Sequence, residues 1–237
     1  MNKWNPMMIA GILGAYIGVI VLLGGLVALD GLKKVWEKWE ELLETVRLPY
    51  VFFGGILLLF ISGILELSVW RIYRSPLVMA LSTGIIEESL KLSPLLILLK
   101  REEKSYLWKL TIGTAVVFAV FETFSYISAF TLASSRSGTH VLLFGVRLVV
   151  IAFHVLWTAV PLSYLLYGKK REALAGWAFA VFAHSVYDYP VLAASAGKNE
   201  GIIAAGVFLS IVSILSLKIA VDRALQTVRK EIISSLL

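Results

Sequence analysis

The sequence predicts an all-α membrane protein: a bundle of about seven transmembrane helices with the third to sixth spans as its core. Three observations carry this. Of the 237 residues 59% are hydrophobic and only 16% charged, whereas an ordinary soluble domain is about 45–50% apolar and about 25% charged. Seven stretches have the roughly 20 mostly apolar residues needed to cross a hydrocarbon core. Lys and Arg outside them concentrate on alternate loops, the asymmetry expected when one set of loops faces the cytoplasm. A soluble enzyme and a disordered tail are thereby excluded. With no cysteine in the chain, so are a disulfide framework, a thiol nucleophile and a cysteine-based metal site. The net charge of +6 reads as cytoplasmic loop charge, not as a nucleic-acid surface.

The first span covers residues 7–29. Its length and the lack of a small-residue cleavage site before Asp30 make it a retained span, not a signal peptide. Segment 30–49 differs in kind. Leu32, Val35, Trp36, Trp39, Leu42, Leu43 and Val46 recur at helical spacing, while Lys33, Lys34, Glu37, Lys38, Glu40, Glu41 and Glu44 fill the other face. That pattern predicts an amphipathic helix lying on the membrane surface, its tryptophans at headgroup depth. Further spans follow at 50–69, 76–99, 109–133, 140–167, 172–195 and 201–222. The whole chain, 1–237, reads as one transmembrane domain without internal repeats. Fifteen of the 22 Lys and Arg fall at the loops after odd-numbered spans, five on the other side, and two, Lys91 and Arg147, inside spans. The N-terminus is therefore expected outside the cell membrane and the C-terminus in the cytoplasm.

Ionisable side chains are rare inside spans because each costs about 2.5–3.5 kcal/mol even on lenient scales. Here they gather. The third span carries Glu87, Glu88 and Lys91, the fourth Glu122, the fifth Arg147 and His154, and the sixth His184 and Asp188. Glu87, Glu122, His154 and His184 each lie close to the midpoint of their own span, so four antiparallel helices bring them to one plane. Glu87 and Lys91, Glu122 and Tyr126, and His184 and Asp188 are each four apart and share a helix face. Arg147 sits nearer the outer end, where Glu66 of the second span is its expected partner.

Four carboxylates and one ammonium give this plane a charge of −3 with neutral histidines. Either some carboxyls hold protons there or a cation binds. Glu88, Glu122, His154 and His184 offer oxygen and nitrogen ligands for Zn²⁺ in a three-ligand catalytic site with one water. A site with no cofactor, in which a glutamate activates water, is the other outcome. Both suit hydrolysis. No HExxH helix is present.

The motifs are Glu87-Glu88-Ser89-Leu90-Lys91, an EExxK pattern; Phe121-Glu122 with Tyr126, an FExxxY pattern; an isolated His154; and His184 with Asp188, an HxxxD pattern. On four consecutive helices, this order resembles the PrsW family of intramembrane proteases, grouped with the CAAX prenyl proteases and the Aph subunit of gamma-secretase. The matching region is about 76–195. The resemblance implies a membrane-embedded peptidase, glutamate-type or metallo-type, that cuts a membrane-anchored protein substrate in or beside its transmembrane segment; the family is associated with an anti-sigma factor of that kind. By similarity to the CAAX proteases, Glu87 would activate water and His184 with Asp188 would steady the oxyanion; Glu88 or His154 is the expected assistant of Glu87. Lys91 would hold down the charge of the acidic pair. Where the CAAX pattern has FxxxH this chain has Tyr126, and His154 is the candidate replacement.

Two non-proteolytic classes stand beside this. An Aph-like scaffold would use buried histidines structurally, but gives no role to an unbalanced acidic pair. A proton or cation transporter routinely carries midplane carboxylates, yet such folds usually show two related halves, which this sequence does not. The expected partners are a membrane-anchored protein and lipid, with no nucleic acid. Oligomeric state, substrate identity and cleavage position have no signature in the sequence.

Overall fold

A computed structural model of the chain describes the backbone of residues 6–42, 44–98, 102–133 and 137–236, and the side chains of 7–42, 44–98, 102–128 and 145–231. Leu43 of the amphipathic pattern, and Lys3, Lys100, Arg101 and Arg136 of the loop charges, lie outside them. All regular structure among the described residues is helical: α1 (Pro6–Val19), a π-helical turn (Ile20–Gly24), α2 (Gly25–Glu41), α3 (Leu48–Ile72), α4 (Pro76–Leu98), α5 (Lys104–Ala133), α6 (Ser137–Tyr167), α7 (Lys170–Ser195) and α8 (Glu200–Leu236). The protein is an all-α, multi-pass membrane protein.

By length and hydropathy alone, five helical stretches suffice to cross a membrane: Met7–Glu41, Leu48–Ile72, Lys104–Ser128, Gly145–Tyr167 and Glu200–Glu231. α4 and α7 fall short for an informative reason. α4 carries Glu87, Glu88 and Lys91, and α7 carries His184 and Asp188. These two helices pack against each other. α5 and α6 complete a four-helix core with them, α3 lies against α4 and α5, and α8 covers α6 and α7. In its most apolar stretch α6 is 72% buried, whereas α3 is 22% buried and turns Phe53, Leu57, Phe60 and Leu67 outward. The most buried of the five stretches thus holds His154, and the least buried one holds no member of the predicted cluster.

The segment 30–49 departs from expectation. It does not form a separate surface helix. α1, the π-turn and α2 run on without a break from Pro6 to Glu41, and at about 1.5 Å per residue the 35 residues of Met7–Glu41 reach some 52 Å, well past a hydrocarbon core of about 30 Å. Nothing at Asp30 stops the helix: Asp30 bonds Lys34 one turn on at 2.7 Å. The apolar stripe finds protein instead of lipid. Val35 and Leu42 are buried in the core, and Lys34 ties α2 to α8 through Asp222 at 2.6 Å. Trp36 stays exposed, while Trp39 packs inward beneath the Lys109 ammonium.

α4 and α7 approach each other closely where the motifs lie. A Cβ placed on Gly84 of α4 would come within 2.5 Å of Ser185 Oγ and 2.8 Å of the Val181 carbonyl of α7. Glycine is therefore what allows α4 and α7 to touch backbone to side chain, one turn before Glu88 and beside His184.

Candidate active site

Glu87, Glu88 and Lys91 occupy the buried face of α4, where a three- or four-residue spacing lets the lysine fold back over both acids. Lys91 is fully buried. Its Nζ donates to Glu88 Oε1 at 2.6 Å and lies 2.9 Å from His154 Nδ1, 4.0 Å from Glu87 Oε2 and 5.4 Å from the centre of the Phe118 ring. Taking an ammonium out of water is costly unless it is paired, and this one meets the carboxylate, imidazole and ring of three different helices.

Each histidine has one nitrogen on a carboxylate and the other turned toward Glu87. His184 Nδ1 bonds Glu88 Oε1 at 2.9 Å, leaving Nε2 3.9 Å from Glu87 Oε2 and 3.4 Å from Asp188 Oδ2. His154 Nε2 lies 2.8 Å from Glu122 Oε2, while Nδ1 faces Lys91 and stands 3.7 Å from Glu87 Oε2. A carboxylate only accepts and an ammonium only donates. The network therefore puts a proton on Nδ1 of His184 and on Nε2 of His154 and gives the lone pair of His154 Nδ1 to Lys91, while His184 Nε2 faces Glu87 and Asp188. The two rings meet edge to face, 5.1 Å apart.

Glu87 Oε2 is buried and has no hydrogen-bond partner among the described residues. Three nitrogens surround it at 3.7, 3.9 and 4.0 Å. Those separations are too long for direct hydrogen bonds, and the ligand atoms of Glu87, His154 and His184 lie within 4.8 Å of one another.

The C-terminal half of α7 is fixed around a proline. Pro190 has no N–H and displaces the helix around it, so the Val186 carbonyl, four residues earlier, loses its usual donor. Ser210 of α8 donates to that carbonyl. The next carbonyl, of Tyr187, accepts from Tyr16 Oη of α1 at 2.9 Å. α7 is thus held from two sides immediately before Asp188, whose side chain is about 30% exposed while those of Glu87, Glu88 and the histidines are buried. Trp157 backs the whole arrangement, stacked on His184 at 4.8 Å and 18° and edge-on to His154 at 5.4 Å.

All seven predicted side chains, Glu87, Glu88, Lys91, Glu122, His154, His184 and Asp188, fall in one contiguous network. Two expectations change. Arg147 does not pair with Glu66: its Nη2 lies 3.1 Å from Glu122 Oε1 and its guanidinium covers the Tyr126 ring at 4.3 Å, whereas Glu66 accepts from Ser62 of its own helix. The pairing follows helix adjacency, since α5 lies along α6. Among the described residues, the group placed to share one ion is Glu87, His154 and His184, whose ligand atoms lie within 4.8 Å of one another. Glu88 and Glu122, expected as ligands, instead contact the far nitrogens of the histidines. Trp157, Tyr16 and Arg147 had no assigned part. Only Trp157 carried a signal, lying three residues after His154 on the same helix face.

The comparisons decide the family. The model described as PrsW family intramembrane metalloprotease matches residues 44–217. This chain belongs to that family. No curated protein and no solved structure matches it. The PrsW match runs from just before α3 into α8, contains every residue of the network, and makes the protein an intramembrane protease. It also implies a metal. The donor set fits one: an unbonded buried carboxylate oxygen and two imidazoles, each with one nitrogen turned toward that oxygen and the other against a carboxylate. That is the carboxylate–histidine arrangement typical of metal sites, and oxygen and nitrogen donors suit Zn²⁺.

Proposed function

We propose that this PrsW-family protease hydrolyses a peptide bond in or near the transmembrane segment of a membrane-anchored protein, at the gap between Glu87, His154 and His184. The carrying observation is Glu87 Oε2, buried and unbonded among three nitrogens just under or at 4 Å. In this reading Glu87, His154 and His184 would hold the metal, with His154 Nδ1 released from Lys91. Zn²⁺ in such a place acidifies water and polarises the scissile carbonyl.

The remaining roles belong to the protein's own groups. Glu88 and Glu122 keep the two imidazoles in the tautomers that point inward. Glu88 is committed to Lys91 and Glu122 to Arg147, which leaves Asp188 as the open carboxylate beside His184 Nε2. Asp188 accepts the proton of the attacking water as the C–O bond forms, then passes it to the leaving nitrogen as the C–N bond breaks. The substrate backbone must be unwound to present a carbonyl, and polar surroundings at membrane depth are where such backbone is tolerated. His184 acts here as a ligand in place of the oxyanion donor expected from the CAAX resemblance. The loop charges support an N-terminus outside and a C-terminus in the cytoplasm of the cell membrane.

The test uses purified protein in lipid vesicles with membrane-anchored candidate peptides, with bound metal measured alongside. Glu87→Gln, His154→Ala and His184→Ala are expected to lose both metal and cleavage. Cleavage that survives all three at the parent rate overturns the assignment.

A further inference from the structure

Arg147 lies outside the motifs, and as a buried arginine among apolar helices it needs a reason. It is on α6, seven residues before His154 and therefore on the same helix face. Only about 10% of its side chain is exposed. Two residues of α5, four apart, clamp it: Glu122 Oε1 at 3.1 Å from Nη2, and the Tyr126 ring at 4.3 Å from the guanidinium carbon. The second oxygen of the same carboxylate lies 2.8 Å from His154 Nε2. Arg147, Glu122, His154 and Glu87 thus form a line of four contacting groups that ends at the gap.

One oxygen of the Glu122 carboxylate lies in an ion pair with the Arg147 guanidinium and the other lies against His154, so its orientation is shared between the two. The side of Glu122 that meets His154 is set by the side that meets Arg147. We infer that Arg147 is a positioning residue for the metal site: by orienting the Glu122 carboxylate, it holds Nε2 of His154 against that carboxylate and turns Nδ1 toward Glu87. This rests on the proposal that His154 is a metal ligand. Tyr126, which the CAAX comparison left without a role, is the lid on the guanidinium. Lysine would supply the charge but neither the flat face for the ring nor a fixed fork for the carboxylate.

The experiment measures Zn²⁺ affinity of the full chain in detergent by competition with a chromophoric chelator, together with histidine-labelled nitrogen NMR of the metal-free protein. With three histidines in the chain, the ring signals are assignable by single substitutions. Losing an outer-shell partner of a metal-bound histidine typically weakens metal binding by about 10–100-fold. Glu122→Gln is expected in that range and Arg147→Gln at about tenfold. The double variant is expected to match Glu122→Gln alone, because Arg147 acts only through Glu122. In the NMR spectra, Arg147→Gln shifts the His154 signals away from the pure Nε2–H form, and Arg147→Lys restores them in part. If Arg147→Gln fails to fold, Arg147→Lys carries the test, with a dissociation constant raised about two- to tenfold.

Unchanged affinity in the arginine variants while His154→Ala loses Zn²⁺ overturns this inference and leaves the metal site standing. Unchanged affinity in His154→Ala overturns both. Additive losses in the double variant show Arg147 acting through general packing, which also overturns it.

Discussion

Glu88 and His184 are 96 positions apart in the chain and joined by a 2.9 Å hydrogen bond, with the same carboxylate oxygen accepting from Lys91 at 2.6 Å. The second acid of the EExxK pattern is therefore a junction between helices. Its Oε1 is shared between an ammonium and the ring that faces Glu87, whereas Glu87 Oε2 lies 3.7 Å or more from every nitrogen around it.

Because of that junction, Lys91→Met leaves Glu88 a buried carboxylate with no fixed cation. Breaking one partner of a buried pair costs about 3–5 kcal/mol. Thermal unfolding in detergent should show a large loss of stability, exceeding that of Lys33→Met, whose ion pair with Glu37 is exposed.

Asp188→Asn separates proton transfer from metal binding. A positioned acid or base contributes about 10²–10⁴-fold to rate, so cleavage should fall in that range. Metal content, measured on the same preparation, should stay at the parent level, because Asp188 is not in the ion-sharing group.

Gly84→Ala probes the α4–α7 contact. The added methyl meets the Val181 carbonyl at 2.8 Å, and backbone cannot swing aside. Overpacking of this kind costs about 1–3 kcal/mol, and the displacement moves Glu88 relative to His184. Both unfolding temperature and cleavage should drop, whereas Gly63→Ala, with open space around its Cβ position, should leave both near the parent values.

Tyr16→Phe removes the donor that catches the Tyr187 carbonyl. Interhelical hydrogen bonds in membranes average about 0.6 kcal/mol and reach about 1.7, so the stability loss is expected to be small. The informative readout is cleavage: a drop without metal loss would show that the N-terminal helix positions Asp188.

Much was legible because a bilayer penalises every stray charge. Glu87, Glu88, Lys91, Glu122, His154, His184 and Asp188 stood out against apolar background, and midpoint counting placed them on one plane. The amphipathic stripe at 30–49 was legible as a stripe, but what covered it was not: the same periodicity suits lipid or helices α6 and α8. The Arg147 partner was misassigned for a similar reason. Charge and depth allowed Glu66 or Glu122, and the choice belongs to which helices are neighbours.

The amino-acid order by itself settled the all-helical class, its membrane setting and the identity of the polar residues, since apolar run length and the cost of burying charge are local properties of a chain. Only the packed structure decided which nitrogen faces which oxygen. That choice turns on contacts of about 3 Å between residues far apart in sequence, and no spacing rule along one helix reaches across to the next.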